Sequence, residues 1–225
     1  MSRQYPLPLP HDEAMEADDF MVTSSNREAA AWIGRWPEWP AHCLVIYGPS
    51  GSGKTHLAQV WQKQTGARTL NPADLENSRD ETSRNFIIDD AEKIAGHAAQ
   101  EEAVFHLYNR LREAGKFLLL TGAEAPAQWK LGLADLRSRL TSVPAVAIAA
   151  PDDELLSALL IKQFRDRQVA LGADVVDYLL PRVERSPAAI RNLVQALDSA
   201  SLAEGRKITV AMARKFLDDQ SFPIP

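Results

Sequence analysis

The sequence predicts a parallel α/β domain followed by a smaller all-helical domain. Three observations carry that prediction. Short apolar runs alternate with amphipathic stretches between residues 43 and 149, as strands and helices do when a sheet is covered on both faces. One run leads directly into "GPSGSGKT", Gly48 to Thr55, a pattern of the form G-x-x-x-x-G-K-[ST]. From Pro151 onward no strand-like run remains, and apolar residues recur at helical spacing.

The elements follow in order. Residues 1–19 read as a flexible arm, proline-rich in "QYPLPLP" and then acidic through Asp12, Glu13, Glu16, Asp18 and Asp19. Ser24, Ser25 and Asn26 are placed to cap a helix that runs to about Trp36, where Pro37 and Pro40 stop it. "CLVIY", Cys43 to Tyr47, is apolar throughout and suits a strand buried on both faces. After the glycine-rich turn a helix extends to about Gln64. "RTL" at Arg68 to Leu70 is a weaker strand and "NFIID" at Asn85 to Asp89 a strong one. Val104, Leu107, Tyr108 and Leu111 mark a helix that Gly115 can end. "KFLLLT" and "VPAVAIA" supply the last two strands. The helical domain then reads as segments over about 152–169, 173–184, 187–204 and 209–220, with Ile190, Leu193, Val194 and Leu197 as the stripe of the third. The expected boundaries are 1–19 for the arm, 20–150 for the α/β domain and 151–225 for the helical one.

Composition narrows the function. The 225 residues, 45% of them hydrophobic, are enough for a substantial core. The net charge of -5, with no obvious basic patch, sets direct sequence-specific DNA binding aside. Cys43 is the single cysteine, so no internal disulfide forms and a reducing compartment fits. No stretch approaches the roughly 20 apolar residues of a membrane span, and no secretory signal is visible. The expected location is the cytoplasm, with no membrane partner. The histidines show no metal-ligand spacing.

The phosphate pattern assigns the chemistry. Gly48, Pro49, Ser50, Gly51, Ser52 and Gly53 form a loop whose backbone N–H groups can curl around phosphates at a helix N-terminus. Lys54 can reach the β- and γ-phosphates of ATP or ADP, Thr55 can hold Mg²⁺, and His56 follows in the first helical turn. A site of this kind needs acids at the end of a neighbouring strand. Asp89 would orient Mg²⁺ and Asp90 would polarise an attacking water, with Glu92 close enough in sequence to compete for that role. By position alone, Arg139 and Arg191 read as surface arginines or as phosphate ligands.

The segments "FMVTSSN", "GPSGSGKTHLA", "FIIDDAEKI", "LYNRLREAGK" and "LGLADLRSRL", in this order, resemble the AAA+ ATPases and, within them, the DnaA replication-initiator group. The fourth and fifth point to the Hda-type, DnaA-related regulators. The resemblance spans about residues 20 to 220. It implies an AAA+ P-loop domain with a parallel sheet and a helical lid. It places Phe20, Val22 and Asn26 near the adenine, makes Asp89 and Asp90 the acidic pair, and makes Arg191 the lid arginine. It makes Arg139 an arginine finger aimed at a neighbour's nucleotide. The sensor-1 stretch falls at Thr121 to Ala123, with Ala123 at the family's acidic position and Thr121 as the nearest polar group. That departure implies weak hydrolysis by the chain's own site. The initiators' DNA-recognition domain and single-stranded-DNA insert have no counterpart here.

The resemblance implies a regulator that presents Arg139 to ATP on the DnaA initiator. The alternatives are a helicase loader or a self-contained ATPase. Self-association into a homo-oligomer is a further option. It also sharpens the reading of the arm. Gln4-x-x-Leu7-x-Leu9 resembles the peptide by which bacterial proteins dock on the DNA polymerase sliding clamp. Tyr5, Leu7 and Leu9 each precede a proline, which biases the thread to extended conformations and lowers the entropy lost on binding.

Overall fold

Side-chain parity decides how the sheet is covered. The computed structural model describes residues 21–72, 75 and 83–219. Its strands are β1 (Cys43–Tyr47), β2 (Arg68–Leu70), β3 (Phe86–Ile88), β4 (Leu118–Gly122) and β5 (Ala145–Ala147). They form one sheet in the order β2-β3-β4-β1-β5, and every pairing is parallel. Cys43, Val45, Phe86, Ile88, Leu118 and Leu120 point into one layer. Leu44, Ile46, Ile87 and Leu119 point into the other. Each fully buried side chain of this size contributes about 1.5–3 kcal/mol, so two-sided burial outweighs any single cap or turn.

Four helices cover these faces: α1 (Arg27–Gly34), α2 (Lys54–Thr65), α3 (Ala98–Glu113) and α4 (Ala134–Ser142). Leu57, Ala58 and Trp61 of α2 pack with Ala29 and Ile33 of α1 on one face. Val104, Leu107, Tyr108 and Leu111 of α3 pack with Leu136 and Leu140 of α4 on the other. The α1–α2 layer is locked by aromatics. Trp39 stacks on Trp61 at 5.0 Å between ring centroids, and its indole N–H donates to the Trp32 carbonyl at 2.7 Å. Cys43 is fully buried, and that burial pushes its thiol pKa far up, as expected of a small inert hydrophobe.

The described residues divide at Pro151 into two compact units. The second holds α5 (Asp153–Asp166), α6 (Ala173–Leu179), α7 (Pro187–Glu204) and α8 (Val210–Asp219). Its core joins Leu156, Leu160 and Phe164 of α5 to Val175, Val176 and Leu179 of α6 and to Ile190, Leu193, Val194 and Leu197 of α7. Asp152 caps α5 by accepting from the Leu155 N–H at 2.7 Å, and Ser186 caps α7 through the Ala189 N–H at 3.1 Å.

Several bounds differ from the sequence reading: β4 begins at Leu118 and not Lys116, β5 covers only Ala145–Ala147 of the run from Val143 to Ala149, and α5 ends at Asp166 and not near residue 169. The helix expected over 173–184 ends at Leu179 and finishes as a single 3₁₀ turn, Leu180–Arg182, because Pro181 has no N–H to donate. Asn85 lies outside β3; its side-chain oxygen accepts from the Phe117 N–H at 3.0 Å. Asn26 stands at the start of α1 but makes no cap bond to the helix. Its carboxamide turns back instead, accepting from the Thr23 N–H at 3.0 Å and donating to the Met21 carbonyl at 2.9 Å.

Candidate nucleotide site

Because all five strands run the same way, their C-terminal ends gather on one edge, where ligands of open α/β sheets bind. The phosphate loop leaves β1 there, Asp89 and Asp90 leave β3, and Thr121 and Gly122 end β4. Register aligns them: Ile46 pairs with Thr121 and Tyr47 with Gly122. The Gly48 N–H donates to the Gly122 carbonyl at 3.0 Å, which pins the start of the loop to β4.

The loop needs glycine at two places for different reasons. A Cβ on Gly48 would lie 2.1 Å from the Ile148 carbonyl oxygen, so only a bare backbone passes between β1 and the end of β5. Gly53 has φ +100°, a left-handed value that leads into α2. Between them Ser52 is buried, and its hydroxyl has no partner among the described residues.

Lys54 is 8% exposed. Its ammonium bends over the loop and donates to the Gly48 and Pro49 carbonyls at 2.8 and 3.0 Å. The Thr55 hydroxyl donates to one Asp89 oxygen at 2.9 Å, and the Thr121 hydroxyl donates to the other. Thr121 also accepts from the Asp90 N–H at 3.0 Å. Thr121 is completely buried, so its one hydroxyl ties both acids to β4. Replacing it by valine keeps the shape and leaves a backbone donor and a carboxylate oxygen unpaired. A loss of about 1–3 kcal/mol in unfolding free energy is expected, read by denaturant titration of Thr121→Val against the parent.

The acids after β3 have different surroundings. Asp90 has φ +50° and its carboxylate meets the Lys93 ammonium at 2.6 Å. The hydrogen bond and charge of Asp90 raise the Lys93 pKa above its ordinary value. Glu92 instead turns toward β4, accepting from the Ala123 N–H at 3.0 Å. Thus the backbone of Ala123, which lacks a polar side chain, still engages a carboxylate.

These residues fit a nucleoside phosphate with Mg²⁺. Among the described residues the loop offers an unpartnered buried hydroxyl and an ammonium held by two carbonyls. The Thr55 hydroxyl and Asp89 carboxylate are hard oxygen donors of the kind Mg²⁺ takes when phosphates and water complete its shell. Among the described residues no group of three or more His, Cys, Asp or Glu side chains is gathered for a metal.

The remaining expected residues are placed as follows. His56 is half-buried in the first turn of α2. Val22 is 56% exposed, on a segment joined to the end of β5 by the Ala149 N–H and the Ser25 carbonyl at 2.9 Å. Arg139 is half-buried on α4, its guanidinium 5.2 Å from the Phe105 ring centroid and 5.7 Å from that of Tyr108. Arg191 is half-buried near the start of α7, in the helical unit. Phe20, Gln4, Leu7 and Leu9 lie outside the described residues.

Sequence reasoning missed Glu101. It is 1% exposed and accepts from the Gly96, Gly132 and Leu133 N–H groups at 2.9, 3.1 and 2.7 Å. Burial pushes its carboxyl pKa up. The Leu133, Gly132 and Gly96 N–H groups, with His97, pull it further down, so it rests below the ordinary value. A signal was available: Glu101 shares the helical stripe of Val104 and Tyr108, and an acid on an apolar stripe marks a buried carboxylate.

Comparison with known proteins agrees with this architecture. Residues 152–217 match the family model described as Hda, lid domain. An uncharacterized protein of Haemophilus influenzae is 26% identical over 97% of this chain and 100% of its own. Domain III of the Thermotoga maritima replication initiation protein DnaA superposes with a TM-score of 0.76 at 21% identity, over 94% of this chain and 98% of that one. AMPPCP-bound DnaA from Aquifex aeolicus does so with a TM-score of 0.73 at 20% identity, over 86% of this chain and 68% of that one. The fold is that of these DnaA structures, a parallel sheet with a phosphate loop after its first strand, followed by a helical unit. Within that architecture, residues 152–217 of the helical unit are similar to the Hda lid domain.

Proposed function

We propose that this chain is a negative regulator of replication initiation that stimulates ATP hydrolysis by the DnaA initiator. The match of residues 152–217 to the Hda lid carries this reading. In it, the chain's own site holds ADP or ATP. Lys54 neutralises phosphate charge, and Thr55 and Asp89 hold Mg²⁺, which supplies Lewis-acid charge to the phosphates. Val22 and Asn26 belong to the segment beside the base. Arg139, half-buried over Phe105 and Tyr108, serves the γ-phosphate of ATP on the initiator. There water attacks the γ-phosphorus, the bond to the β–γ bridging oxygen breaks, and the guanidinium offsets the charge that develops. Initiator-ADP and inorganic phosphate result.

Gln4, Leu7 and Leu9 dock the arm on the sliding clamp, so that Arg139 acts only where a clamp has been loaded. A cytoplasmic location follows from that partnership. Consistent with it, no helix among the described residues is long and apolar enough to cross a membrane.

Phosphate release is measured with initiator-ATP and DNA-loaded clamp, using the full chain and a form lacking residues 1–10. The full chain is expected to accelerate release, and the shortened form to require far more protein for the same rate. Equal rates would remove clamp docking, and no acceleration by the full chain would remove the regulatory reading.

A further inference from the structure

One carboxylate joins the two working ends of the α/β unit. Glu101 holds Gly96, the left-handed residue that closes the turn begun at Asp90. It also holds Gly132 and Leu133, the two residues ahead of α4. No side chain of its own caps the start of α4. Farther along the same α3, Phe105 and Tyr108 seat Arg139 of α4. Thus α3 holds α4 at its entry and again at its arginine.

The turn that Glu101 grips is tied to the phosphate site by three links. Asp90 donates its N–H to Thr121, and Thr121 donates to Asp89. Asp89 in turn accepts from Thr55. Glu92, inside the turn, holds Ala123. Any ligand that recruits Thr55 and Asp89 acts on Thr121, on the Asp90 N–H and so on the turn that ends at Gly96.

We propose that Glu101 is a positioning residue that couples occupancy of this chain's own phosphate site to the placement of Arg139. The bearing of that coupling on the initiator rests on the function proposed above; the coupling itself does not. Three donors from two separate segments converge on the two oxygens of one side chain, so a shift of the turn at Gly96 would act on the entry of α4 through Glu101. Glutamine at this position breaks the link with little change of volume. Its single oxygen can accept from the two glycines or from Leu133, and its NH₂ then faces an N–H on the other side.

The test is amide hydrogen exchange of the full chain, alone and with ADP or a non-hydrolysable ATP analogue, for parent and Glu101→Gln. In the parent, nucleotide is expected to slow exchange in residues 50–58 and also to change it in residues 131–139. In the variant the first response should persist, and the second should shrink by about fivefold or more, the lower end of typical site-to-site coupling. If Glu101 only stabilised the fold, Glu101→Gln would raise exchange throughout the unit and leave the nucleotide response at 131–139 intact, which would overturn the proposal. A parent with no nucleotide response at 131–139 would overturn it too, even if the variant did not fold. No initiator is present in this experiment, so its failure is distinct from failure of the regulatory reading.

Discussion

Replacing Arg139 by alanine is expected to abolish stimulation of the initiator while leaving the protein folded and its own nucleotide affinity unchanged. Two magnitudes separate these effects. On this chain the guanidinium lies half-buried over Phe105 and Tyr108, at 5.2 and 5.7 Å. A cation over rings at such a site contributes about 0.5–1 kcal/mol, a small part of the stability of a domain. An arginine supplied to a neighbour's transferred phosphoryl group raises hydrolysis on the order of 10³–10⁵-fold. Arg139→Lys should fail almost as badly, because an ammonium keeps the charge but loses the planar fork. The assay is phosphate release from initiator-ATP with clamp-loaded DNA, beside a melting curve and an ADP titration of each variant. Stimulation by Arg139→Ala at the parent rate would eliminate the trans-arginine mechanism.

Lys54→Ala is expected to weaken ADP and ATP binding by about 100-fold, with little loss of stability in the absence of nucleotide. Charge-assisted hydrogen bonds contribute about 1.5–3 kcal/mol each, and each 1.4 kcal/mol is tenfold in affinity. In the ligand-free protein the bonds of Lys54 to the Gly48 and Pro49 carbonyls are offset by the desolvation of its buried ammonium, so its removal costs the fold little. The measurement is the dissociation constant for a fluorescent ADP. The nucleotide-dependent rise in melting temperature checks it independently, since ligand stabilisation follows RT ln(1 + [L]/Kd). A variant whose affinity stays within a factor of about two of the parent would mean that the loop does not take its charge from Lys54.

Much of the fold was legible because its signals are local. "CLVIY" and Arg68 to Leu70 became β1 and β2 with the expected bounds. α7 starts at Pro187 and ends at Glu204, where proline at the first position and Gly205 at the end punctuate it. The pattern from Gly48 to Thr55 carries both its chemistry and its flanking elements in eight letters. Asn26 was less legible. A residue suited to cap a helix can equally bond the chain before it, and a tertiary tie at Ser25 and Ala149 accompanies the second choice.

By itself, the sequence determined the residue inventory: a phosphate loop, two strand-end acids, an arginine in the "LRSRL" segment, and apolar runs that two-sided burial turns into a parallel sheet. Only the tertiary structure decided how that inventory is wired. It gave Thr121 to both Asp89 and Asp90, turned Asp90 to Lys93 and Glu92 to β4, and made Glu101 the joint between the acid-bearing turn and the arginine-bearing helix. The physical reason is range. Apolar burial and turn chemistry act on neighbours in the chain. A buried hydroxyl or carboxylate instead takes its donors and acceptors from segments about 30 residues away, which become neighbours only when parallel strands align their ends or helices of one layer pack together.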